Sequence, residues 1–179
     1  MKNKKGFSGI LIFMVALLLI LILGFIGSIL VGLFGYAGDN IQPIFAELGV
    51  VGDTNLSQVA EYTITPANNF VQAMPWFIGF AYLAMLVFSM IFVIGYESNP
   101  HPAFMGAYIL FVILLIFGAI ILSNMYQDIY SGNDDLALKL KEQTMLSYMI
   151  LYSPGIIVLI AFITGIYLFS KPQETGGGI

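Results

Sequence analysis

The chain has 179 residues, of which 59% are hydrophobic and 9% charged; six lysines, no arginine and ten carboxylates give a formal net charge of −4. Soluble domains carry about 25% charged residues, so this composition is too poor in charge to coat a water-facing surface and points to the membrane class. With no cysteine it excludes disulfides, thiolate metal sites and cysteine nucleophiles; without arginine it cannot grip phosphate bidentately; and its scattered lysines make no basic patch for nucleic acid.

In chain order, Lys2, Lys4 and Lys5 precede an uncharged run, Gly6–Gly38. A helix needs about 20 apolar residues to cross a bilayer, so a first span is expected over residues 7–37. Within it, Gly24, Ser28 and Gly32 recur every fourth residue, and Gly35 extends the face. Helices in lipid gain from close backbone approach, which small residues allow. This face is therefore the first candidate packing surface. Locally, Lys4-Lys5-Gly6-Phe7-Ser8-Gly9 resembles the leader of type IV pilin-like proteins. That resemblance implies cleavage after Gly6 and a pilin or secretion-system role. Leu11 stands where bacterial pilins carry glutamate, and pilins have one hydrophobic helix rather than several. An uncleaved, inside-positive first span is the expectation adopted.

Residues 38–70 form the first loop, with Asp39, Glu47, Asp53 and Glu61 and no lysine. Asn55 is placed to cap a short helix reaching Ala60, and Pro43 and Pro66 punctuate the segment. Ile44, Phe45, Leu48, Val50 and Val51 are too many apolar residues for a free loop. The segment is expected to be partly structured and to lie on the membrane or against a partner.

A second span is expected over residues 71–95. Glu97 and His101 lie in the tight turn that follows it, where Pro100 and Pro102 prevent a regular helix. One histidine with one acid falls short of the ligands a divalent metal needs, so no metal site is expected there. The third span is predicted over residues 103–122. The loop of residues 123–144 holds Asp128, Asn133, Asp134 and Asp135. Their spacing does not match the twelve-residue calcium loop, and a helix cap by Asn133 or Asp134 is expected instead. Leu136, Leu138 and Leu140 with Lys139 and Lys141 suit an interfacial helix that runs into the last span. That span is predicted over residues 145–169, kinked near Pro154-Gly155. Ala161 and Gly165 form a second, lesser small-residue face.

Four spans put both termini on one side, which holds Lys2, Lys4, Lys5 and Lys171. The positive-inside tendency makes that side cytoplasmic and both larger loops outward. Tyr36, Trp76, Tyr96, Tyr126, Tyr130 and Tyr148 fall near span ends, as an interfacial aromatic belt would. The expected fold is a single all-α, four-span integral membrane domain over residues 1–179, in a prokaryotic plasma membrane or a viral membrane. Mid-span polar atoms are limited to groups such as Ser28, Ser89 and Thr164, with no ionisable residue in the middle of any span, and Gln72 with the loop acids makes no recognisable constellation. No catalytic residue, metal or cofactor is expected. The expected role is a structural or accessory subunit that meets the lipid bilayer and other membrane subunits or copies of itself. A passive, holin-like pore is the second class, since pores need no intramembrane charge.

Overall fold

The computed structural model describes the backbone of residues 3–96 and 103–170, and side chains over 8–94 and 105–170. The described residues are all-α apart from one small hairpin. Its first helix, α1, runs Asn3–Glu47 without interruption. It passes through Pro43, which withholds one backbone donor from the Asp39 carbonyl. Gly49, at φ 61°, closes it in the left-handed conformation that glycine adopts without strain. Strands β1 (Val50–Val51) and β2 (Thr54–Asn55) then pair antiparallel, Val50 opposite Asn55. Gly52 supplies the positive φ that a two-residue hairpin turn requires.

Helix α2 (Leu56–Val59) starts at Asn55, whose side chain accepts from the backbone N–H groups of Ser57 and Gln58. This is the cap expected from the sequence. A π turn over Ala60–Ile64 leads into α3 (Thr65–Tyr96). Thr65 stabilises that turn by donating both its N–H and its hydroxyl to the Ala60 carbonyl. Helix α4 covers Ala103–Tyr130, α5 Asp135–Glu142, α6 Thr144–Leu151 and α7 Ser153–Phe169. Glu97 and His101, with Lys2 and Lys171, lie outside the described residues.

Three helical stretches, Ser8–Glu47, Leu56–Ile94 and Met105–Tyr130, are long and apolar enough to cross a membrane. The bent pair α6 and α7 makes a fourth if counted as one span. Pro154 accounts for the break at Tyr152: it has no N–H for the Ile150 carbonyl, and its ring collides with that group.

The helices overrun the spans predicted for them. Within residues 123–144 the short helix after Asp134 was expected, but the continuation of α4 to Tyr130 was not, and only four residues separate α4 from α5. Nor does α5 run into the last span. Its backbone turns at Gln143 (φ −80°, ψ 52°). Asp134, rather than Asn133, caps α5 by accepting from the Ala137 N–H at 3.1 Å.

The described residues form two compact units. One contains the start of α1 to Ile22, Tyr82–Ser123 and the chain from Tyr152. Its core includes Phe13, Leu17, Leu86, Val93, Ile157 and Leu168, each at most 2% exposed. Tyr108 donates to the Ala161 carbonyl at 2.6 Å, and its ring lies 3.1 Å from where a Cβ on Gly165 would stand. The two small residues of α7 thus admit a tyrosine from α4. Ser89 donates back to the Leu86 carbonyl at 2.8 Å. Thr164 is fully buried, and its hydroxyl has no partner among the described residues. Leu19, Phe88, Phe117 and Phe162 are more than half exposed, so this unit presents large apolar side chains outward, which is compatible with lipid as its solvent.

The other unit contains Leu23–Ala81 and Asn124–Leu151. Tyr126, Leu140, Leu146 and Ile150 form its core, with Phe25, Ile78 and Leu136 packed around them. Tyr126 was expected at a membrane interface; it is fully buried, edge-on to Phe25 with ring centroids 6.2 Å apart. Leu138 stays 52% exposed, whereas Leu140 of the same short helix is completely enclosed.

Candidate functional site

The second unit carries the chain's densest described polar structure, built where α5 lies against α1. Helix α5 is short and amphipathic, and it must bury one face to persist. It does so against the small residues of the first span. A Cβ on Gly32 would stand 3.1 Å from both Leu136 Cδ1 and Leu140 Cδ2, and one on Gly35 would stand 3.4 Å from Lys139 Cδ. Gly24, Ser28, Gly32 and Gly35 are all buried.

Ser28 anchors a buried hydrogen-bond chain. Its hydroxyl donates to Gln143 Oε1 at 2.8 Å, and the Gln143 amide donates back to the Ser28 carbonyl at 3.1 Å. The Tyr126 hydroxyl lies 2.7 Å from the oxygens of both Ser28 and Ser147. Ser147 donates to the Leu140 carbonyl at 2.6 Å. With the serine hydrogens committed, the single Tyr126 hydrogen serves one of its two neighbours at a time. This chain explains why α5 stops where it does: Gln143 leaves the helical conformation to turn its amide towards Ser28.

About three turns further along α1, charge replaces hydroxyls. Lys139 forms ion pairs with Asp39 and, at 2.9 Å, with Glu142. Asn68 of α3 donates to Asp39 at 3.1 Å and to Gln42 at 3.4 Å, and Gln42 donates to the Thr65 hydroxyl at 3.1 Å. Burial opposes the charge on Lys139, but its hydrogen bonds to Asp39 and Glu142 outweigh that and raise its pKa above the ordinary lysine value. The lysine's contribution is therefore complete at neutral pH and is lost only as the pH rises through that elevated value.

Gly38 makes this junction possible. A Cβ there would stand 2.6 Å from Asn68 Oδ1, and Asn68 is held by Asp39 and Gln42. We expect Gly38→Ala to destabilise the protein by about 1–3 kcal/mol, the usual range for overpacking. Thermal melting in detergent should show the loss, and Asn68→Ala in the same chain should relieve most of it. An equal penalty with and without Asn68 would exclude the clash as its cause.

Between these two clusters opens a cleft of about 420 Å³. Val31, Gly35, Val71 and Pro75 give it apolar walls, and Gln72, Lys139, Glu142 and Gln143 make it polar. Its volume is within the ordinary range for small-ligand sites. Gln72, the best polar group the sequence offered, is placed here. Gln143 and Tyr126 were missed as site residues: the first reads as a loop residue and the second as a belt tyrosine, and neither carries a spacing signal. Asp134 is occupied as a helix cap, and no three potential metal ligands cluster among the described residues. No protein-family model matches the chain, and no curated protein or solved structure shows significant similarity to it.

Proposed function

We propose that this is a four-span membrane protein with both termini cytoplasmic, acting as a non-catalytic structural or accessory subunit of a larger membrane assembly. The observation that carries this reading is the surface of the segment after the first span. Ile44, Leu48, Val50, Val51 and Tyr62 are each more than half exposed, framed by Glu47, Asp53 and Glu61. They follow Asp39, where the uncharged run ends. At about 1.5 Å per residue a 45-residue helix measures about 67 Å, well over the roughly 40–45 Å of a whole bilayer. The end of α1 and its hairpin thus have the length to stand clear of lipid. An apolar tip in water marks a protein contact, and its acidic frame suits a partner with basic residues around an apolar patch. Lys2, Lys4 and Lys5 at the start of the sequence and Lys171 near its end favour the cytoplasmic assignment for both ends.

The test is cross-linking from a photoreactive residue at Val50, followed by native mass measurement of the membrane complex. We expect one protein partner in fixed ratio. Val50→Ser with Val51→Ser should weaken its retention about tenfold by removing apolar burial, leaving the melting temperature unchanged. Cross-links to lipid alone would overturn the reading. Cross-links only between copies of this chain, with conductance in liposomes, would replace it with the pore.

A further inference from the structure

We propose that the cleft bounded by α1, α3 and α5 binds a phosphoethanolamine head, an amphiphile's primary ammonium beside a phosphate. This inference is independent of the subunit reading.

Three features define the ligand. The first is depth. Val31 and Gly35 belong to the last turns of the uncharged run, and Lys139 pairs with Asp39, the first charge beyond it. The cleft therefore bridges apolar and polar surroundings, as a lipid head does. The second is an excess of acceptors. Glu142 gives one oxygen to Lys139 and keeps the other, on a side chain 62% exposed. Gln72 adds an amide carbonyl. Pro75 has no N–H for the Val71 carbonyl, which therefore lacks its helical donor, and both residues line the cleft. Asp39, Glu142 and Lys139 together carry a net −1. These groups call for a cation with N–H donors. The third is Lys139 itself. An ammonium has three hydrogens, and the two carboxylates engage two of them. The remaining one can meet a phosphate oxygen next to the bound cation. An anionic head without an ammonium meets the net negative charge, and a quaternary ammonium has no hydrogen to donate to Gln72 or Val71. The walls of Val31, Gly35 and Pro75 suit the glycerol and first methylenes of a lipid.

The test uses the full chain in nanodiscs holding equal amounts of ethanolamine, choline and glycerol phospholipids, with native mass spectrometry of the lipids retained. We expect one ethanolamine lipid per chain, enriched about tenfold over the other two, the scale of one charge-assisted hydrogen bond. Glu142→Gln and, separately, Gln72→Leu should abolish that enrichment, and unchanged melting of each variant shows that its fold is kept. A parallel arm adds free phosphoethanolamine to the detergent-solubilised protein. Stabilisation there that Glu142→Gln removes, without lipid enrichment, assigns the same head to a soluble source. No enrichment together with no stabilisation, or enrichment that survives both substitutions, overturns the proposal.

Discussion

Gly32→Leu is expected to lower the stability of the chain by about 3 kcal/mol, at the upper end of the overpacking range. The closest atoms are the ends of Leu136 and Leu140, both 3.1 Å from a Cβ at Gly32. Leu140 is fully enclosed, so it has no free space to rotate into. A leucine at position 32 must lift α5 away from α1, which would strip Gln143 from Ser28 and Lys139 from Asp39 together. Hydrogen exchange should show α5 losing protection ahead of the rest of the second unit, and Leu136→Ala should restore part of the loss. Gly35→Ala is the control: its methyl would meet only Lys139 Cδ at 3.4 Å, ordinary contact with a flexible side chain, so little change is expected. If α5 exchanges at the same rate in wild type and Gly32→Leu, its docking does not depend on this glycine. The small-residue face thus has an occupant within the chain, and a variant such as Gly24→Leu with Gly32→Leu tests folding before it tests assembly.

The second large effect is expected at Gln143→Leu. The substitution removes the acceptor for the Ser28 hydroxyl and the donor for the Ser28 carbonyl, both in a buried setting. The Ser28 carbonyl keeps its helical donor, the Gly32 N–H, and loses only a second bond, whereas leaving the buried hydroxyl without its acceptor costs about 1–3 kcal/mol. The serine hydroxyl can recover some of this by turning to a carbonyl one turn back in its own helix. A net loss of about 2–3 kcal/mol is expected in thermal or denaturant unfolding. Tyr126→Phe should cost less than its two short contacts suggest, about 1 kcal/mol, because one hydrogen serves both. A double-mutant cycle between Ser28→Ala and Gln143→Leu should give a coupling of at least about 1 kcal/mol, as neighbours in one network do. Additive effects would mean that the two residues do not share the bond described.

The long apolar runs made the helices legible, because a hydrocarbon solvent demands internally bonded backbone. Local capping was legible too: Asn55 and Asp134 sit where a side-chain oxygen can reach free N–H groups two or three residues on. The break before Pro154 follows from the same local chemistry. The cleft was not legible, because Gly35, Pro75, Gln72 and Glu142 come from three segments, and no periodicity links them.

Composition and hydrophobic run length alone established an all-α chain with several helices able to cross a membrane, because those properties depend on how each segment meets its solvent. Which groups face one another needed the tertiary structure. Ser28 and Gln143 are 115 positions apart, and Gly32 is equally suited by its sequence to a neighbouring chain or to α5. A small residue specifies only that something can come close. What comes close is decided by where the rest of the chain places an amphipathic helix with one apolar face to bury.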